Sequence, residues 1–406
     1  MFLYIDPGTG SMLFTILIGI IGTLAFFFKT LIVKLKFVLT GGKKTNASSE
    51  RESIVIFSDD KRYWSVFKPI CREFNKRNIK VKYFTASEND DALKNEFENI
   101  EAEFIGENNK AFSKLNFLDA KLVLSTTPGL DVYQWKRSKK VNYYLHIPHA
   151  ASDISLYRMF GIDYYDGVLL SGEYQVDEIR RLESARNLPA KDIEVVGIPY
   201  MDDMLDRLKM NSTVKSDIKT VLLAPSWGSS SIFSKYGSRV IEELTKTGYH
   251  IIIRPHPQSF ISEAEMINEL MIKYPDSDLL EWNRDADNFN VLNKSDILIS
   301  DFSGVIFDFA LVYDKPVIYT DTEFDKSPYD AWWIDDELWT ISALPKIGEK
   351  LDEDNLSNIK DLIDNCMENN IYSQNREQLR TETWANIGAG AEKTVDFIIN
   401  KLNEID

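Results

Sequence analysis

Short apolar runs alternate with segments of helical spacing along most of the chain. That alternation predicts β-α-β units and a mostly parallel sheet. Residues 53–57, 79–84, 102–105, 120–124, 141–146, 167–171 and 193–196 read as strands, followed by 220–224, 250–253, 279–280, 297–300 and 316–319. Between the first two runs, residues 61–77 place Trp64, Phe67, Ile70, Cys71 and Phe74 on one side of a helix. Further helices are predicted over 173–186, 201–210, 234–247, 262–274, 351–369, 374–381 and 388–402. The segment 295–320 organises the second half. Its nearly all-apolar run at 297–300 suits a strand buried on both faces. The turn Asp301-Phe302-Ser303-Gly304 leads into a short buried helix, 305–312, and the next strand. Ser303 and Gly304 would stand at that helix N-terminus, where free N–H groups and the dipole favour a phosphate; the plainer reading is that Ser303 caps the helix.

In a parallel sheet the ligand crevice lies at the carboxyl ends of the strands. Two histidines fall there. His149 follows the run at 141–146 in a loop, and His256 follows 250–253 inside Arg254-Pro255-His256-Pro257, a turn stiffened by two prolines. An imidazole is the usual general base near neutrality, although each ring could equally be a structural hydrogen-bonding group. His146 lies within its strand and reads as structural. Arg254 is a permanent cation beside His256. The loop Pro225-Ser226-Trp227-Gly228 could cradle phosphate or ribose. The aromatic and acidic segment 325–339 reads as a flap or as a surface loop pinned by tryptophans.

A chain of 406 residues is too long for one core. The net charge of −16 argues against nonspecific nucleic-acid binding. Cys71 and Cys366 form no CxxC pair, which fits a reduced compartment and no zinc site. Residues 12–28 carry no charge, and Lys29, Lys34, Lys36, Lys43 and Lys44 follow them. The lysines stand after the apolar run rather than before it, so the segment reads as a single-pass membrane anchor, with residues 12–39 at the membrane and the body in the cytoplasm; a signal peptide or a buried core helix is the alternative. The expected organisation is an anchor and basic segment (1–44), an N-terminal acceptor-side domain (45–205), a C-terminal donor-binding domain (206–385) and a closing helix (386–406).

The strand-end His149, the Arg254-Pro255-His256-Pro257 turn, and Ser300-Asp301-Phe302-Ser303-Gly304 followed by Phe307-Asp308-Phe309 resemble the CDP-glycerol glycerophosphotransferases of bacterial teichoic-acid synthesis. Pro225-Ser226-Trp227 is similar to the Pro-Thr-Trp loop of that family. The resemblance covers residues 140–320 and implies a GT-B architecture, two Rossmann-like domains facing a cleft. It further implies a base role for His149, a diphosphate-steadying role for His256, and donor or phosphate binding by Arg254, Ser226, Trp227, Asp301, Ser303, Gly304 and Asp308. Asp308 would either anchor its helix or reach the donor. The implied donor is CDP-glycerol or a related nucleotide and the implied acceptor a lipid-linked polymer, with no cofactor and no metal in the site. Pro148-His149-Ala150-Ala151 departs from the family's Trp-His-Gly-Thr, and Gly228 stands where an arginine is frequent. These departures leave CDP-ribitol or a nucleotide sugar open as donor. Two other readings compete with the transferase: another GT-B enzyme, such as a glycosyltransferase or UDP-sugar epimerase, and a tethered module that binds without turnover.

Overall fold

The computed structural model describes residues 51–211, 218–285, 287–320 and 324–405. The predicted membrane segment and its basic flank lie outside the described residues. Among the described residues, no helix is long and apolar enough to cross a membrane.

The first half forms a seven-stranded parallel sheet in the order β3-β2-β1-β4-β5-β6-β7. Its strands are β1 (Glu52–Ser58), β2 (Val81–Thr85), β3 (Ile100–Phe104), β4 (Asp119–Ser125), β5 (Lys140–His146), β6 (Gly167–Leu170) and β7 (Asp192–Val195). The strands are apolar on both faces because both faces are covered. In β1, Ile54 and Ile56 pack with Phe67, Ile70 and Phe74 of helix Trp64–Lys76, while Val55 and Phe57 pack on the other side with Trp135 and Tyr144. Strand order reverses between β1 and β4, so a crevice opens at their carboxyl ends.

The second half repeats the plan with six parallel strands in the order β10-β9-β8-β11-β12-β13. These are β8 (Thr220–Leu223), β9 (His250–Ile253), β10 (Leu280–Trp282), β11 (Ile297–Ser300), β12 (Val317–Thr320) and β13 (Gly348–Leu351). Val221, Ile251 and Ile297 face one apolar cluster. Leu222, Ile252 and Leu298 face another, which is continuous with Ile54 and Ile56 of the first sheet. The two halves therefore share one core beneath the cleft.

Several segments differ from the sequence expectation. The helix expected over 234–247 is broken at Gly237 into Ile232–Tyr236 and Arg239–Thr245, because Gly237 takes a positive φ of 56°. β13 escapes a hydrophobicity reading because Glu349 and Lys350 sit between the buried Gly348 and Leu351. The helix after Gly304 is α-helical only at Val305–Phe307 and continues as a π-helical turn, Asp308–Val312. The segment 325–339 is not a free flap. Asp330 is fully buried and accepts hydrogen bonds from the Phe160 and Gly161 N–H groups, at 2.7 and 3.1 Å, across to the first half. Arg186 pairs with both Asp330 and Asp163, which fixes the crossing in a desolvated ionic cluster.

The chain passes between the halves twice, at helix Pro199–Met210 and again near Trp384. The closing helix Gly390–Ile405 packs on the first half, where Asp396 pairs with Arg77 at 2.6 Å and Lys401 with Asp192 at 2.9 Å. The return is held by Asp202, which accepts from the Trp384 indole and the Gly388 and Gly390 N–H groups at 2.7–3.0 Å. Gly197 lies under this return with φ +95°, and a Cβ there would stand 2.1 Å from the Ala385 carbonyl oxygen. Gly197→Ala is expected to lower the thermal midpoint by several degrees. Backbone strain alone costs roughly 1–3 kcal/mol, and a circular-dichroism melt measures the shift.

Candidate active site

The carboxyl ends of β1, β4 and β5 face those of β8, β9 and β11, and a cavity of about 390 Å³ lies between them. Arg62, Tyr63 and His149 line it from the first half, and Trp227, His256 and Gln258 from the second. The two histidines singled out from sequence therefore share one cavity. Both rings are half-buried.

His149 sits in the loop after β5. Its Nδ1 lies 3.2 Å from the Thr126 hydroxyl at the end of β4, and its ring packs against Tyr63 and Tyr157 at 4.9 and 6.0 Å. Burial, and then the positive charge of Arg62, hold its pKa down to about 4. The loop ends at Asp153, whose carboxylate accepts from the Trp339 and Thr340 N–H groups at 2.8 and 2.7 Å and so ties the His149 loop to the second half. His256 is fixed differently. The Gln258 N–H donates to its Nδ1 at 3.1 Å. A backbone N–H can only donate, so the neutral ring carries its proton on Nε2, which is free to donate in turn. Burial, then Arg62, also bring this ring down to about 4. Both imidazoles are thus uncharged at neutral pH.

Trp227 is 44% exposed and presents a broad apolar face to the cavity. In the hydroxyl-rich loop around it, the Ser226 and Gly228 amides are already engaged. Ser226 N–H is bound to Asp301 and Gly228 N–H to Glu263 at 2.9 Å. Asp301 is fully buried and also accepts from the Ile232 and Phe302 N–H groups at 3.2 and 2.9 Å. Its place is beneath the site, where it sets the Trp227 loop. Asp308 is likewise an anchor. It accepts from the Tyr200 hydroxyl at 2.8 Å, and burial raises its pKa to about 6. Arg254 donates to the Asn283 side chain and, at 2.9 Å, to the Asp285 carbonyl. Those bonds hold its guanidinium against the loop after β10, and it does not line the cavity shared by the histidines.

Ser303 and Gly304 stand just ahead of the first turn at Val305, where a helix cannot satisfy its own N–H groups. No side chain caps that turn, so the expected serine cap is not formed. A Cβ on Gly304 would stand 3.3 Å from the Cβ of Ala150. The phosphate-turn candidate thus lies close to the His149 loop across the cleft, although neither Ser303 nor Gly304 lines the cavity shared by the histidines. Arg62 and Tyr63 were not legible as site residues, because Lys61-Arg62-Tyr63 at the start of an amphipathic helix reads as ordinary surface. Thr126 had no signal beyond its position after a strand.

These facing parallel sheets with a shared cleft define a GT-B-like α/β fold. A family profile described as CDP-Glycerol:Poly(glycerophosphate) glycerophosphotransferase matches residues 46–387, and the chain belongs to that family of transferases. The minor teichoic acid biosynthesis protein GgaB of Bacillus subtilis (strain 168) is 35% identical over 110 residues, 25% of this chain and 11% of that protein. The teichoic acid poly(glycerol phosphate) polymerase of Bacillus spizizenii (strain ATCC 23059 / NRRL B-14472 / W23) is 28% identical over 166 residues, 37% of this chain and 39% of that protein. The matches thus span well under half the length of these curated relatives. Among solved structures, a histidine variant of the wall teichoic acid polymerase TagF soaked with CDPG superposes with a TM-score of 0.57 at 18% identity, covering 94% of this chain and 98% of that one. S. aureus MnaA with UDP gives 0.59 at 13% identity, covering 87% and 97%. At such identities the likeness establishes the fold.

Proposed function

We propose that the protein moves glycerol phosphate, or a related polyol phosphate, from a CDP-linked donor onto a hydroxyl of a surface-polymer or lipid-linked acceptor. The observation that carries this reading is the placement of two neutral imidazoles, one from each half, around a single cavity. Phosphoryl transfer needs a positioned nucleophile and donors aimed at developing charge more than covalent help. His149 takes the acceptor hydroxyl's proton, the freed oxygen bonds to the β-phosphorus, and the bond from that phosphorus to the bridging oxygen breaks. The electron pair leaves with CMP. His256 donates through Nε2–H to a phosphoryl oxygen. Ser303 and Gly304 supply backbone N–H groups to the phosphates, and Trp227 stacks on the nucleoside base. Asp301, Asp308 and Arg254 hold the donor-side loops in place.

Membrane tethering belongs to the same reading. The uncharged residues 12–28 and the lysines after them support a single-pass anchor with the body on the cytoplasmic side. A nucleotide donor is available there, and a lipid-linked acceptor meets the tethered enzyme at high effective concentration.

The test is a donor panel with the purified full chain and a polyol-phosphate acceptor. CMP release from CDP-glycerol or CDP-ribitol is the expected result. UDP release from a nucleotide sugar, with none from the CDP donors, would replace this reading with that of a sugar transferase. A smaller prediction concerns Thr126. Thr126→Val removes the hydroxyl at His149 Nδ1 and keeps the branched shape. It is expected to lower kcat about 10-fold, part of the usual general-base contribution, with KM for the donor unchanged in steady-state kinetics.

A further inference from the structure

A diphosphate brings at least two negative charges into the cavity, yet the two imidazoles there are neutral and Arg254 is engaged elsewhere. Arg62 is the one charged side chain among the cavity's lining residues. It stands at the beginning of the helical segment after β1, on the opposite side of the cleft from His256. Asp60 grips it from one side, with Nε to Oδ1 at 2.9 Å and Nη2 to Oδ2 at 3.3 Å. Asp60 Oδ1 also accepts the Arg62 backbone N–H at 2.9 Å, which ties the carboxylate to the turn. That grip uses two of the five guanidinium donors and leaves Nη1 with no hydrogen-bond partner among the described residues. The Arg62 side chain stays 45% exposed.

We infer that Arg62 binds the donor's diphosphate from the first half and neutralises the charge gathering on the departing nucleoside monophosphate. This rests on the transferase reading. In the transfer step the acceptor oxygen bonds to the β-phosphorus and the bond to the bridging oxygen breaks. The bridging oxygen keeps the electron pair and receives an N–H···O⁻ hydrogen bond from Arg62. Asp60 is the positioning residue that keeps the guanidinium turned toward the cleft. The donor then touches both halves at once, His256 and the Ser303-Gly304 turn on one side and Arg62 on the other.

The Arg62 charge also bears on the rings. His149 faces Arg62, Tyr63, Tyr157 and the neutral His146, and His256 faces Arg62. Arg62→Gln is therefore expected to do three things. It weakens CDP binding, measured by calorimetry without turnover, at least ~10-fold. It lowers kcat/KM for CDP-glycerol by ~10²–10³, the range for loss of one charge-stabilising donor. It moves the acid limb of the kcat/KM profile upward in pH. Arg62→Lys restores the position of that limb and part of the rate, because a point charge replaces a planar fork. Arg62→Gln within 3-fold of wild type in both CDP affinity and kcat/KM overturns the inference, as does a loss of rate with an unmoved pH limb. Because CDP affinity is read without turnover, absence of CMP release in the wild type would count against the transferase reading, whereas equal CDP affinity in the two proteins would count against Arg62.

Discussion

His149→Ala is expected to lose transfer while the protein stays folded and still binds donor. The expected fall in kcat is about 10²–10⁴-fold, the contribution of a positioned general base. An acceptor alcohol cannot attack usefully while it keeps its proton, and His149 is the imidazole on the first half that borders the cavity. His146 cannot replace it. That ring is fully buried, its Nε2 is bonded to the Tyr157 hydroxyl at 3.0 Å, and burial, with a smaller effect of His149, holds its pKa near 3. The pH profile carries the same information. Burial and Arg62 place the His149 pKa at about 4 in the free protein. Its base form is therefore filled at neutral pH and is lost as pH falls through that value. The acid limb of kcat/KM is expected near 4, well below the ordinary histidine range, with a flat profile above pH 6. Bound diphosphate favours the protonated ring, so the limb of kcat lies higher than that of kcat/KM. A His149→Ala protein with near-wild-type kcat contradicts the assignment.

His256→Ala is expected to lower kcat/KM for the donor by about 10²–10³, comparable to removal of one donor that stabilises transition-state charge. The proton's location on the ring decides this role. Gln258 N–H occupies Nδ1, so Nε2 carries the hydrogen and acts as a donor, not a base. His256→Gln keeps an N–H group on a side chain of similar reach and should recover part of the loss. Equal kinetics for the wild type and His256→Ala would remove this ring from the mechanism. The two histidines then differ in a measurable way. Loss of His149 acts mainly on kcat, and loss of His256 acts on donor binding as well.

The fold was largely legible because a parallel sheet covered on both faces demands uninterrupted apolar runs. The strands at 250–253 and 297–300 match β9 and β11 residue for residue. The histidines were legible for the same reason, since each follows such a run and so falls at the crevice. Asp308 takes the anchoring alternative of its two expected roles, and Asp301 is occupied by buried backbone partners. A carboxylate in a turn looks the same in sequence whether it faces a ligand or binds buried partners, such as the N–H groups of Ser226 and Ile232 at Asp301 or the Tyr200 hydroxyl at Asp308. The engagement of Arg254 was not legible either, because its partners Asn283 and Asp285 come from a distant loop. The anchoring of segment 325–339 depends on Asp330 meeting Arg186, a pairing across the two halves that no local pattern encodes. Arg62 was missed because its importance comes from facing His256 across the cleft, and only the folded chain places it there.

The most direct measurement is the crystal structure of the His149→Asn protein with CDP-glycerol bound. The diphosphate is expected between position 149 and His256, with His256 Nε2 about 3 Å from a phosphoryl oxygen, the cytosine against Trp227 and the Arg62 guanidinium on the bridging side. A donor seated elsewhere, or one whose diphosphate touches only one half of the molecule, would contradict that placement.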